Sequence, residues 1–119
     1  MTPRIRRVLS GAFYLASALV GLLSLVPNAA VPEMPVDDKT EHILAYAALG
    51  LLGGVASRRG ILPRVVLGLG TYGAVLELLQ AFSPGRSPEV ADAVADIIGV
   101  GLGVGMAVVL RRAALIVAK

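Results

Sequence analysis

The charges of this chain are sorted along its length, and that sorting constrains the fold more than any other feature. Arg4, Arg6 and Arg7, then Arg58, Arg59 and Arg64, then Arg111, Arg112 and Lys119 form three basic clusters that no Asp or Glu interrupts. All eight acidic residues lie between those clusters: Glu33, Asp37, Asp38 and Glu41, then Glu77, Glu89, Asp92 and Asp96. Apolar stretches separate each basic cluster from the acidic hinges. Because Lys/Arg-rich connections stay on the cytoplasmic side of a bilayer, the three clusters mark one face and the hinges the other. The pattern predicts an all-α protein of the cytoplasmic membrane, a bundle of four antiparallel transmembrane helices with both termini cytoplasmic.

Composition agrees with a single small membrane domain. Hydrophobic residues make up 56% of 119 positions, and a mean hydropathy of +0.81 is too apolar for a surface that must meet water. The basic pI reflects short groups flanking apolar runs, with neither a basic stripe nor interleaved aromatics, so nucleic acid is excluded as a partner. There is no Cys, which removes disulfide and thiol chemistry.

Spans are expected over about residues 8–26, 41–57, 61–82 and 91–110. The first is uncharged, longer than the apolar core of a signal peptide, and stopped by Pro27. Residues 27–40 carry Pro27, Pro32 and Pro35 and read as an outer loop, after which Asp37 or Asp38 caps the second helix. Gly60 and Pro63 mark an inner turn, and Ser83 to Pro88 a second outer loop. Gly50 and Gly54, Gly99 and Gly103, and Gly101 and Gly105 are each four apart, the small-residue spacing that lets helix backbones approach in lipid or joins copies in a homo-oligomer. Asp92, Asp96, Gly99 and Gly103 step along one face, which should point inward.

The chemistry gathers near the outer helix ends. Lys39, His42 and Tyr46 share one helical stripe, with Asp38 a turn before His42 and able to orient it. Glu77 and Gln80 share a face of the third helix, with Glu77 about 9 Å below Ser83. A carboxylate at that depth must face the bundle interior and find a partner. Arg86, His42 and Lys39 are the available cations or donors.

Three motifs then stand in order. They are Asp38-Lys39-x-x-His42-x-x-x-Tyr46; Glu77-x-x-Gln80 running through Phe82-x-Pro84-Gly85-Arg86-Ser87; and Asp92-x-x-x-Asp96-x-x-Gly99. Together they resemble the VanZ-like family of small membrane proteins from about Asp38 to Gly103, with Asp96 where that family usually carries Asn. The resemblance implies a role in low-level resistance to the glycopeptide teicoplanin, or in cell-envelope physiology, without an established reaction.

The expected site is a polar pocket open to the extracytoplasmic leaflet. His42, Glu77 and Asp38 are the candidate acid, base and orienting groups; Lys39, Tyr46, Gln80, Arg86, Asp92 and Asp96 are the candidate ligand-binding residues. Arg86 and Lys39 would hold an anionic head group, and His42 would move a proton. Expected partners are a membrane lipid or lipid-linked envelope precursor, or a glycopeptide. One His, no Cys and no His-Glu-x-x-His helix exclude a zinc motif, while a catalytic metal held by carboxylates stays open; no phosphate loop or dinucleotide fingerprint is present, and no cofactor is expected. Two other readings use the same residues: a binder that breaks no bonds, and a proton-coupled carrier relaying through Glu77 and Asp96. Whether the chain is an enzyme stays open at this stage.

Overall fold

A computed structural model describes residues 1–33 and 35–118. Lys119, the last member of the third basic cluster, lies outside the described residues. Four long helices carry the chain: α1 (Pro3–Leu25), α2 (Asp38–Ala56), α3 (Leu62–Leu79) and α4 (Val90–Ala118). Single 3-10 turns lie at Asn28–Ala30, Arg59–Ile61 and Gln80–Phe82.

Local chemistry explains the boundaries. Thr2 accepts the Ile5 N–H at 3.2 Å, and Pro3 occupies the first turn, where its missing N–H costs nothing. The helix stops at Leu25, two residues before Pro27. Asp37 caps α2 by accepting the Thr40 N–H at 3.0 Å, and hydrogen bonding from Thr40 holds the Asp37 carboxyl below its ordinary range. Pro63 sits in the first turn of α3. The last helix runs past Arg111 and Arg112 to Ala118, beyond the expected end near residue 110. The Ala-Ala-Leu-Ile-Val-Ala segment after the arginines contains no Gly or Pro to stop it.

Three segments are long and apolar enough to cross a membrane: Pro3–Leu25, Arg59–Phe82 and Val90–Val117. The α2 helix, with Asp38, Lys39 and Glu41 in or beside its first turn, is not among them. Much of the exterior is apolar. Val8, Tyr14, Leu15, Leu67, Leu78 and Met106 all point outward, a surface suited to hydrocarbon.

Backbone-to-backbone contact between α2 and α4 forms the centre. A methyl group on Gly50 would meet the Val100 carbonyl oxygen at 2.7 Å, and one on Gly99 would meet the Ile43 carbonyl oxygen at 2.5 Å. Gly54 faces Ala107, and Gly103 faces the Ala47 carbonyl. These contacts advance together along both helices, so α2 and α4 run side by side in the same sense. The expected pairs Gly50/Gly54 and Gly99/Gly103 therefore interlock. Gly101 and Gly105 do not join them; both are exposed, with nothing within 4 Å of an added Cβ.

The other helices pack around this pair. Gly73 of α3 lies against Asp96, Gly70 approaches Ile97, and Phe13 of α1 covers Gly53. Tyr46, Leu49, Leu62, Leu69, Val100 and Val104 form the apolar core. At the basic end, Arg111 donates to the Gly54 and Ser57 carbonyls at 3.0 and 2.5 Å. It thereby closes the carbonyl end of α2, where positive charge also complements the helix dipole.

Gly103→Ala should cost about 1–3 kcal/mol by driving a methyl into the Ala47 carbonyl, whereas Gly101→Ala should be neutral or slightly stabilising. Thermal unfolding of both variants in detergent checks this: equal midpoints would contradict the packing described.

Candidate functional site

The parallel pairing of α2 and α4 brings the first turns of both helices together. Lys39 is the hub. Its ammonium donates to Glu89 Oε2 at 2.7 Å and to Asp92 Oδ1, and lies 3.5 Å from Asp38 Oδ2. Asp92 is 5% exposed. A carboxylate so far from water requires a paired cation, and Lys39 supplies it from the neighbouring helix.

One turn further in, His42 Nδ1 lies 2.6 Å from Oδ1 of Asp96, which is 2% exposed. Its other nitrogen, Nε2, faces Asp92 Oδ2 at 3.8 Å and Asp38 Oδ1 at 3.9 Å. The carboxylate hydrogen-bonded to the imidazole is thus Asp96, while Asp38 sits across the ring. A base held by a buried carboxylate at one nitrogen and free at the other is arranged for proton transfer at the free one. That free nitrogen is Nε2.

Glu77 is buried, as its depth required. Its partner is a backbone group rather than any of the expected cations: Oε1 accepts the Glu89 N–H at 2.7 Å. The carboxylate reaches across from α3 to hold the chain entering α4, close to the unpaired N–H groups and positive dipole end of that helix. This contact fixes the loop of residues 83–89 onto the helix that carries Asp92 and Asp96.

Gln80, Ser83 and Arg86 act as a set, reaching three carbonyls near the end of α1. Gln80 Nε2 donates to Ser24 O at 3.1 Å and Ser83 Oγ to Val26 O at 3.1 Å. Arg86 donates through Nη2 to Leu23 O at 2.5 Å and through Nε to Val26 O at 3.3 Å. These are the carbonyls a helix C-terminus leaves without intrahelical partners. Deeper in the same interface, Tyr72 donates to Ser17 O at 2.6 Å.

A cleft of about 440 Å³ opens beside this cluster. Val20, Leu23, Val31, Pro32, Val36 and Leu44 make its apolar wall. Asp38, Glu41, His42, Asp96, Gln80 and Arg86 make its polar side, with Tyr46 between. Of the residues singled out by sequence, Asp38, Lys39, His42, Asp92 and Asp96 converge in one cluster. Tyr46, Gln80 and Arg86 line the cleft, and Glu77 braces the loop behind it.

Sequence reasoning placed Glu89 only in the acidic hinge and not in the site, where it pairs with Lys39 from just before α4. It also missed Glu41 as a lining residue, where the i, i+1 relation to His42 gave no signal. The contact between Tyr72 and Ser17 has no sequence signature, because it depends on how α1 and α3 meet.

The fold and cluster define a small helical membrane protein with a polar site at one end. The VanZ/LLP1 family model matches residues 7–111, and the chain belongs to that family. No curated protein and no solved structure matches it.

Lys39→Met leaves Asp92 buried without its cation and should cost about 1–3 kcal/mol. Adding Asp92→Asn should recover part of that loss, because the amide carries no charge. Unfolding of the single and double variants in detergent decides the point; an undisturbed single variant would show that the ion pair contributes nothing.

Proposed function

We propose that this is a four-crossing protein of the cytoplasmic membrane, with both termini inside, whose cleft faces the extracytoplasmic leaflet and binds the head group of an amphiphilic envelope ligand. The observation that carries this reading is the two-sided cleft, with Leu23, Val31, Val36 and Leu44 on one wall and Asp38, Glu41, His42, Asp96 and Arg86 on the other. An acyl or prenyl chain suits the first wall and a charged head the second. A membrane lipid or lipid-linked envelope precursor has both parts.

The charges bear on which head group fits. Lys39 is committed to three carboxylates, and Arg86 spends Nε and one terminal nitrogen on carbonyls, which leaves its other terminal nitrogen to meet a phosphate. Asp38 and Glu41 suit an amine. A head group with both phosphate and amine therefore complements the cleft better than a simple anion does. His42, steadied by Asp96, is the group that donates or accepts a proton toward it. The cellular setting of this reading is envelope homeostasis or teicoplanin resistance, supported only by the resemblance to the VanZ-like family.

The crossing count follows from the same account. Basic residues Arg6, Arg59, Arg111 and Arg112 surround one end, and the acidic cluster lies at the other, the distribution expected for a cytoplasmic and an outer face. With α2 held against α4, the apolar part of α2 is covered by protein, so it crosses without the hydropathy of a lipid-facing helix. Since the chain has no Cys, single cysteines report topology cleanly. Ser87→Cys should react with a membrane-impermeant maleimide in intact cells and Ser57→Cys only after permeabilisation. The reverse labelling would overturn the orientation.

Native mass spectrometry of the purified protein should reveal a retained amphiphile that is lost in Glu41→Gln and Arg86→Ala. Retention by both variants at wild-type level, with normal folding, would contradict the assigned cleft. His42→Gln should keep the ligand and lose the cellular phenotype.

A further inference from the structure

The polar cluster contains an arrangement that hydrogen bonding does not account for. Asp38, His42 and Asp92 each bring one ligand atom within 4.8 Å of the other two, and Nε2 of His42 stands 3.9 Å from Oδ1 of Asp38 and 3.8 Å from Oδ2 of Asp92. Those separations are too long for hydrogen bonds. They approach the spacing of ligands around one small cation, because tetrahedral donors at about 2.1 Å from a metal lie about 3.4 Å apart.

The remaining atoms of the same side chains are turned to other partners. Oδ2 of Asp38 and Oδ1 of Asp92 face the Lys39 ammonium, so the lysine holds the outer oxygens and leaves the inner ones directed at His42. Asp92 is more than nine-tenths buried, with Oδ1 held by Lys39 and Oδ2 turned toward His42. On the far side of the imidazole, Nδ1 is bonded to the buried Asp96. A histidine that ligates a metal through one nitrogen nearly always gives its other N–H to a carboxylate, which fixes the tautomer and aims the lone pair.

We propose that Asp38, His42 and Asp92 bind one divalent transition-metal ion, with Asp96 and Lys39 as positioning residues and a further coordination position open toward the cleft. One imidazole nitrogen and two carboxylate oxygens suit Zn²⁺ or Mn²⁺ better than Mg²⁺ or Ca²⁺, which favour all-oxygen sets. Three protein ligands and an open position are the form of a site that meets a ligand rather than one that only staples a fold. The ion would offset the acidity of the cleft and give a phosphate or carboxylate a cation to meet. This deepens the proposed function at the same site, where with the ion bound Nε2 of His42 and Asp38 serve as ligands in place of proton transfer and amine contact, and ion binding itself requires no lipid.

The sequence offers no zinc motif and leaves a carboxylate-held metal without named ligands, because only one histidine is present and because Asp38 and His42 sit on α2 while Asp92 lies 50 residues beyond His42 on α4. No linear motif joins them.

The test uses the full chain, purified in detergent, stripped with EDTA and titrated with Zn²⁺ alone against a chromophoric competitor, with bound metal counted after desalting. One Zn²⁺ per chain is expected, not displaced by excess Mg²⁺. Asp38→Asn and His42→Ala should each weaken binding at least about tenfold, and Asp96→Asn by about 10–100-fold through the imidazole. Glu33→Gln, an exposed loop carboxylate outside the cluster, should leave affinity unchanged. Co²⁺ substituted for Zn²⁺ should give visible absorption of a low-coordinate N/O site, altered in His42→Ala. Because Asp38 is exposed, its variant should fold even if one at Asp92 does not. Substoichiometric Zn²⁺, or equal affinity in wild type, Asp38→Asn and His42→Ala, would overturn the site. Lipid retention after EDTA is read separately: ligand kept without zinc binding sinks the metal alone, and zinc bound without ligand sinks the proposed function alone.

Discussion

The contact of α2 with α4 is the constraint on which everything else in this protein rests. In lipid no hydrophobic force draws two helices together, so association depends on close packing and on polar contacts sheltered from water. Gly50, Gly54, Gly99 and Gly103 remove the side chains that would keep the two backbones apart. The consequence reaches beyond packing. Only at that separation can a lysine and a histidine on one helix reach three carboxylates at the start of the other, and Lys39, His42, Glu89, Asp92 and Asp96 form one connected group.

Around that pair the remaining elements behave as supports. Glu77 from α3 receives the Glu89 N–H, and Gln80, Ser83 and Arg86 grip the end of α1. Buried polar groups are expensive unless each has a partner. Here the partners come from different helices, so every satisfied group also fixes the position of a second element. The polar end is thus the most cross-linked part of a molecule whose outer surface is largely apolar.

Much of this architecture was legible in the sequence because it depends on local periodicity. Proline positions, the Asp37 cap and the two glycine pairs that pack are visible one segment at a time, as is the succession of four long helices, although α4 runs on to Ala118. The motifs of Asp38, Lys39 and His42 and of Asp92 and Asp96 likewise name residues that meet. What the sequence could not give was pairing. Nothing in a linear pattern says that Lys39 turns to Asp92, that the His42 partner is Asp96, or that Arg86 serves the end of α1. Nor could spacing separate Gly99 and Gly103, which pack, from Gly101 and Gly105, which face outward, since two small-residue pairs offset by two positions are equivalent until a neighbour is chosen. The helix most involved in the site, α2, is also the one that is not among the segments long and apolar enough to cross a membrane, its first turn carrying Asp38, Lys39 and Glu41.

The chain has a single histidine, which gives the most direct test of convergence between α2 and α4. In nitrogen NMR of the protein in lipid nanodiscs, His42 should show one Nδ1 proton held in a strong hydrogen bond, with distinct, non-averaged signals from the two ring nitrogens. Asp96→Asn should shift both. An imidazole whose nitrogens average as in free solution, unmoved by Asp96→Asn, would contradict the account.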